Sequence, residues 1–228
     1  MKCAATRGID VAMKHLDTPR RWLAIGLAGL AGFVDATGFL ATGGYFASFM
    51  SGNTTRLGVD LSGNPAMAIW PAAIIALFVI GVAAGAIASD RGGTRRKSAV
   101  LALAVALLVI AALFDGNWLP GFLAASVLAM GALNNVFRRD GEVTVGVTYM
   151  TGALVRFGQG LAAWLTGKRM SDQLTAIGLW FGLAAGAVTG AVAFSVVRGV
   201  TPWLAVGYAV LLLAAAFVIE RRLPQPGS

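Results

Sequence analysis

Met50-Ser-Gly-Asn-Thr-Thr-Arg-Leu-Gly58 and Met150-Thr-Gly-Ala-Leu-Val-Arg-Phe-Gly158 carry methionine, a hydroxyl residue, glycine and arginine at the same spacing. The correspondence continues on both sides of the two motifs. It pairs Gly32 with Gly131, Asp35 with Asn134, and Gly81/Gly85 with Gly182/Gly186. Internal repeats built around interrupted apolar segments are typical of membrane transport proteins.

The composition is that of an integral membrane protein. Hydrophobic residues make up 57% of the 228 positions, charged residues only 12%, and the mean hydropathy is +0.77. A soluble domain of this length needs a larger charged surface. The thirty glycines lie largely along apolar segments, as in closely packed membrane helices. We therefore expect an all-α protein embedded in a lipid bilayer, without a separate soluble domain.

The basic residues give a net charge of +8, and they lie mainly at the ends of apolar stretches. This placement favours lipid headgroups over a nucleic-acid partner. Residues 1–21 form a basic tail, which we expect to be cytoplasmic and to lead into an uncleaved first helix. The single cysteine, Cys3, and the single histidine, His15, lie in this tail. The sequence therefore predicts no disulfide, no metal site and no cofactor.

A segment that crosses a bilayer as a helix needs about 20 mostly apolar residues. Six segments qualify: roughly 22–42, 66–89, 98–114, 119–138, 174–197 and 203–220. Two more polar segments, about 44–62 and 142–166, carry the repeated motif, and each contains an arginine.

These segments predict one transmembrane domain over 22–220, made of two repeats at about 22–114 and 119–220. We expect a disordered tail over 221–228, because it contains two prolines and is short and polar. Glycine pairs at four-residue spacing mark close contacts between helices or between copies of the chain. We expect the protein to form a homo-oligomer.

The distribution of positive charge predicts how the two polar segments are placed. If each returns to the side it entered from, fifteen of the eighteen lysines and arginines face the cytoplasm, as do both termini. Each half then crosses three times, so the second repeat is inverted relative to the first. If both segments span, the bundle has eight helices with parallel repeats, and the basic loop at 91–97 lies outside. The charge rule favours six spanning helices plus two interrupted or re-entrant segments.

Asp35 is the most informative single residue, because it lies deep in the first apolar segment. An ionised carboxylate inside a membrane needs a cation partner or water. The candidate partners are Arg56 and Arg156. We interpret Asp35 as a proton- or cation-coupling residue or a counter-ion in a substrate site; the alternative is a structural ion pair. Asn134, at the matching position, keeps the shape and loses the charge.

The first motif offers hydroxyl and amide groups and a flexible backbone turn through Ser51, Gly52, Asn53 and Thr54. A broken helix frees backbone groups that only a polar cavity tolerates. Thr151 and Gly152 repeat the pattern with fewer polar neighbours. The alternative is that the hydroxyl groups only bond neighbouring helices.

Arginine in an apolar segment must reach the interface, form a pair or line water. Arg56 and Arg156 could together attract an anionic substrate, or they could anchor the chain at opposite interfaces.

The stretches Gly32-Phe-Val-Asp35-Ala-Thr-Gly38, Phe49-Met-Ser-Gly-Asn53-Thr and Met150-Thr-Gly152 resemble the YoaK family of bacterial inner-membrane proteins. The resemblance covers about residues 22–220. It implies a multi-spanning protein, usually with six helices, of unassigned function, and it names no substrate.

The leading hypothesis is a small secondary transporter or channel that moves a solute or ion across the bacterial inner membrane. Its path would be lined by Asp35, Ser51, Gly52, Asn53, Thr54, Arg56, Asn134, Thr151, Gly152 and Arg156. The rival is a membrane scaffold or partner subunit without a solute path. We do not expect an enzyme, because neither histidine nor cysteine lies within an apolar segment.

Overall fold

The computed structural model of the chain describes residues 17–139, 142–143, 150–167 and 173–222. Within them it forms eight α-helices: α1 (Thr18–Thr42), α2 (Met50–Gly63), α3 (Ile69–Gly92), α4 (Arg96–Phe114), α5 (Leu119–Leu133), α6 (Met150–Leu165), α7 (Gln173–Val197) and α8 (Thr201–Arg222). The two-residue strands β1 (Arg138–Arg139) and β2 (Glu142–Val143) pair antiparallel. The predicted tails lie largely outside the described residues, at 1–16 and 223–228.

Three continuous helical stretches of the described residues are long and apolar enough to cross a membrane: Thr18–Thr42, Pro65–Phe114 and Thr175–Arg222. The second contains α3 and α4 and the third contains α7 and α8, each pair joined by a short 3-10 turn. The turn between α3 and α4 begins at Gly93, whose φ of 53° ends the first helix because residues with a side chain rarely adopt it. Apart from the short β ladder, the regular structure of the described residues is therefore all helical.

The fourth of the six apolar segments forms a shorter helix than its sequence predicts. The segment 119–138 was expected to be helical throughout, but α5 ends at Leu133 after 15 residues. Residues 134–137 form turns that lead into β1. Two consecutive asparagines, Asn134 and Asn135, favour this end because their side chains compete for backbone hydrogen bonds.

Glycines bring α1 and α7 into backbone contact. A Cβ atom added to Gly182 would lie 2.6 Å from the carbonyl oxygen of Ile25, and one added to Gly190 would lie 2.6 Å from that of Phe33. Between these two contacts the position advances by eight residues along α7 and by eight along α1, so α1 and α7 run parallel.

The same contact joins α3 to α5. Gly81 abuts the backbone of Leu128, and a Cβ atom added to Gly85 would lie 2.5 Å from the carbonyl oxygen of Ala132. The partners again advance together, so α3 and α5 run parallel. The absence of a Cβ atom allows helices to approach this closely.

Helix α8 runs against α1 and α4. Gly26 meets Leu212 and Gly29 meets Tyr208, so the contact moves backward along α8 as it moves forward along α1. Glu220, near the end of α8, accepts a hydrogen bond of 2.8 Å from the amide of Lys97 at the start of α4. The tight turn at Gly93 reverses the chain between α3 and α4, which pack against each other. It follows that α1, α4 and α7 point one way, and α3, α5 and α8 the other.

The helix contacts pair the glycines of α3 with those of α7 differently from the sequence comparison. Sequence comparison pairs Gly81 and Gly85 with Gly182 and Gly186. In the structure their equivalents are Gly186 and Gly190, because the backbone partners Leu128 and Ala132 correspond to Gly29 and Phe33, each 99 positions earlier. Gly131 and Gly32, which the sequence also pairs, show the same shift. Gly131 meets the backbone of Phe78 and Val82, and Gly32 meets that of Leu183 and Ala187. Relative to the match made from the sequence, the contacts of α7 are thus shifted by four residues, about one helical turn.

Candidate functional site

A cleft of about 620 Å³ lies beside Asp35. Four parts of the chain form its walls: Gly32, Asp35, Ala36, Phe39 and Leu40 from α1; Phe46, Ser48 and Phe49 from the loop before α2; Met150 and Thr151 from α6; and Leu183, Ala187, Val188 and Ala191 from α7. Its polar side chains are Asp35, Ser48 and Thr151, and the rest of the wall is apolar. The size is ordinary for a site that binds a small molecule.

Asp35 is held by the loop that precedes α2. Its Oδ1 atom accepts a hydrogen bond of 2.6 Å from the Ser48 amide, and its Oδ2 atom accepts one of 2.6 Å from the Ser48 hydroxyl. The amides of Ala47 and Phe49 also approach the carboxylate. These donors lie just before the first turn of α2, where a helix dipole favours negative charge. Backbone amides therefore compensate the carboxylate where the sequence predicted an arginine.

Two glycines return the chain from α1 to Asp35. Gly43 ends the helix at φ 71°, with a hydrogen bond from its amide to the carbonyl of Phe39, and Gly44 follows at φ 136°. Thr42 then accepts a hydrogen bond of 3.0 Å from the amide of Tyr45. The backbone break predicted at 51–54 thus lies at 43–49 instead, and the motif residues form the first turn of α2.

Asn53 fixes the loop rather than lining the cleft. Its side-chain oxygen accepts a hydrogen bond of 3.1 Å from the Phe46 amide, and its side-chain nitrogen donates one of 2.8 Å to the Phe46 carbonyl. Asn53 is fully buried. The amide side chain replaces the backbone partner that a residue outside regular structure lacks.

Three other motif residues also lie outside the cleft wall. Thr54 donates a hydrogen bond to the carbonyl of Met50 one turn earlier, and Ser51 is exposed. Gly52 packs against the ring of Phe49. The Thr54 hydroxyl therefore bonds its own helix, rather than lining a cavity or bonding a neighbouring helix as the sequence suggested.

Arg56 does not pair with Asp35. Its Nε atom lies 3.2 Å from the Oδ1 atom of Asp60, one turn later, and its guanidinium lies 5.4 Å from the ring centre of Tyr45. Asp60 is buried, so this pair stabilises α2 and the turn beside it. The pairing at i and i+4 is a local helix interaction, and it replaces the predicted pair with the distant Asp35.

The predicted site residues of the second half of the chain do not lie together. Thr151 lines the cleft, whereas Gly152 is exposed with open space around it. Asn134 is buried and donates a hydrogen bond of 3.1 Å to the carbonyl of Met130. Arg156 is half-buried and forms no ion pair with any residue that the structure describes. The structure thus brings Asp35 and Thr151 to one cavity, and it does not bring both arginines there.

Sequence reasoning missed Ser48 and the aromatic wall. Ser48 lies thirteen positions after Asp35 with no recognisable motif between them, and its contact depends on the turn at Gly43 and Gly44. Phe39, Phe46 and Phe49 form a contiguous set, with ring centres 4.9 and 5.3 Å apart. In a membrane sequence such phenylalanines are indistinguishable from ordinary packing residues. No group of three or more potential metal ligands occurs in the described ranges.

Comparison with known proteins gives a family without an assigned activity. A family model described as a protein of unknown function (DUF1275) matches residues 23–218, so the chain belongs to that family. A UPF0700 transmembrane protein of Rhizobium meliloti (strain 1021) is 41% identical over 210 residues, which is 89% of this chain and 91% of that protein. No solved structure matches the chain. The expectation of an uncharacterised membrane family is confirmed, and the closer likeness to the YoaK family stays a prediction.

Proposed function

We propose that this DUF1275 protein is a small secondary transporter or channel of the bacterial inner membrane, with a solute path through the Asp35 cleft. The observation that carries the proposal is an acidic side chain at an open cavity inside an apolar helix bundle. Intramembrane acids are costly and commonly mark substrate, ion or proton pathways. Asp35 would bind the coupling proton or cation.

The proposed topology has six crossings, by α1, α3, α4, α5, α7 and α8. Helices α2, α5 and α6 have 14, 15 and 16 residues, so all three are about 21 to 24 Å long, short of the roughly 30 Å hydrocarbon core, and the directions of the neighbouring helices decide which of them cross. Helices α1 and α3 point in opposite directions, as do α5 and α7, so the chain returns to its starting side across α2 and across α6. Helices α2 and α6 are therefore assigned as re-entrant.

The same directions support an inverted repeat. The first repeat is α1 to α4 and the second is α5 to α8, and the spanning helices α1, α3 and α4 point opposite to their counterparts α5, α7 and α8. A pseudo-twofold axis in the membrane plane has this effect, and it is common in secondary transporters.

The charges support cytoplasmic termini. Lys97 and Glu220 meet at one end of the bundle, and Arg138 pairs with Asp90 at 2.9 Å where α3 and α5 both finish. Helix α1 begins and helix α8 finishes at this same end of the bundle. The basic residues at the start of α1 and at the end of α8 therefore lie at this end as well. The positive-inside rule assigns such an end to the cytoplasm.

The second candidate is a scaffold or partner subunit, and the glycine-lined helix contacts favour it equally. A homo-oligomer is compatible with either function. We propose no catalytic role, since the lining residues of the cleft include no histidine, cysteine or lysine.

Accessibility to a charged thiol reagent separates the two candidates. In a Cys3→Ser background, Thr151→Cys places a thiol on the cleft wall, and the control Val79→Cys places one on an exposed, apolar face of α3. With the protein in sealed vesicles of known orientation, a membrane-impermeant methanethiosulfonate should react with Thr151→Cys from both faces and leave Val79→Cys unmodified. Protection of Thr151→Cys from both faces would mean a dry cleft and would favour the scaffold.

A further inference from the structure

The Asp35 cleft has an unusual chemical composition for a solute path. Phe39, Phe46 and Phe49 contribute three aromatic rings, and Leu183 and Val188 contribute aliphatic side chains from α7. Three of these side chains are well exposed, with Phe39 at 41%, Phe49 at 42% and Val188 at 63%. A strongly hydrated ion would gain little from such walls, whereas an apolar ligand would bury its surface against them.

The only charged side chain in the described cleft wall is the Asp35 carboxylate. Arg56, which the sequence offered as a partner of Asp35, is engaged by Asp60 and Tyr45 and does not line the cleft. The compensation at Asp35 comes from neutral amide and hydroxyl donors, which leave a net negative charge at the wall. A cation in the cleft would therefore be attracted through a medium of low dielectric constant.

The hydrogen bonds of Asp35 restrict the kind of cation. Both carboxylate oxygens already accept bonds of 2.6 Å from Ser48. A ligand with many hydrogen-bond donors would find few free acceptors in the described wall, whereas a delocalised or shielded charge needs none. Aromatic faces also attract cations that have lost their water.

We propose that the cleft binds a lipophilic organic cation, in which aromatic or alkyl groups surround a single positive charge. This inference rests on the proposed function, because it names the substrate class of the same site. The apolar groups contact the phenylalanines and the α7 wall, and the charge lies near Asp35. The exposed rim gives such a ligand a lateral entry from the bilayer.

Two ions of the same size and opposite charge test the proposal. Tetraphenylphosphonium and tetraphenylborate differ chiefly in the sign of the charge, so apolar burial alone would bind both. In equilibrium dialysis with the purified full chain in detergent micelles, tetraphenylphosphonium should bind saturably and at least about tenfold more tightly than tetraphenylborate. Asp35→Asn keeps the shape, and it should weaken the cation about ten- to hundredfold.

Two further variants keep the test decisive. Asp90→Asn removes a carboxylate that is 70% exposed and remote from the cleft, so it should bind the cation as the wild type does. Val188→Lys adds a positive charge to the cleft wall with Asp35 intact, and it should abolish cation binding while improving tetraphenylborate binding. This second variant answers the question if Asp35→Asn does not fold.

The proposal is overturned if tetraphenylphosphonium does not bind saturably, if both ions bind equally, or if neither cleft variant changes binding. Flux of tetraphenylphosphonium into proteoliposomes distinguishes this inference from the proposed function. Binding without flux would support the proposed ligand class and rule out transport of that ligand. If Thr151→Cys is accessible to water but the cation does not bind, the solute path is supported and the proposed ligand class is ruled out.

Discussion

Replacing Gly190 by alanine should separate α1 from α7. The added Cβ atom would lie 2.6 Å from the carbonyl oxygen and 2.9 Å from the Cα atom of Phe33. Ordinary van der Waals contact begins near 3.4 Å, so the two helices must move apart by about 0.8 Å. Both obstructing atoms belong to the backbone, so no side-chain rotation can relieve the contact.

The expected loss of stability comes from overpacking, and a second glycine-to-alanine substitution at an uncrowded position serves as the control. Overpacking of this kind destabilises a folded protein by about 1–3 kcal/mol. Gly207 lies on α8 with no atom within 4 Å of an added Cβ, so Gly207→Ala should be neutral or stabilising by up to about 1 kcal/mol through helix propensity. Gly85→Ala meets the equivalent contact with Ala132 at 2.5 Å and should behave as Gly190→Ala does.

Unfolding by sodium dodecyl sulfate in mixed micelles, followed by circular dichroism, measures these differences. Gly190→Ala and Gly85→Ala should unfold at a lower detergent fraction than wild type, and Gly207→Ala should not. If Gly190→Ala proved as stable as Gly207→Ala, the parallel backbone contact between α1 and α7 would be wrong.

Two further substitutions test buried hydrogen bonds by the same assay. Asn53→Ala leaves the amide and carbonyl of Phe46 without their described partner, so the free energy of unfolding should fall by about 2–4 kcal/mol; an unchanged value would mean that water replaces the amide. Glu220→Ala removes the acceptor for the amides of Lys97 and Ser98 and should cost about 2–3 kcal/mol. Glu220→Gln keeps one acceptor oxygen and should cost less, and equal losses in the two variants would contradict this explanation.

Asp35 illustrates what could be predicted of the site. Its position in an apolar segment sufficed to mark it, because a carboxylate there needs compensation. The partner could not be found in the same way, since the donors are the amide and hydroxyl of Ser48. A backbone amide has no signature in a sequence, and its direction is set by the turn at Gly43 and Gly44. Sequence reasoning therefore looked for an arginine, and Arg56 was instead engaged by Asp60.

The sequence by itself determined the membrane class, the approximate helices and a repeated motif with matching glycine spacing. Hydropathy and glycine spacing are local properties that follow directly from residue order. Only the tertiary structure decided the register between the halves. Helix α7 carries Gly182, Gly186 and Gly190 at equal spacing, so either adjacent pair could match Gly81 and Gly85. The choice of Gly186 and Gly190 depends on which backbone atoms of α1 lie against them, and those atoms are distant in the chain.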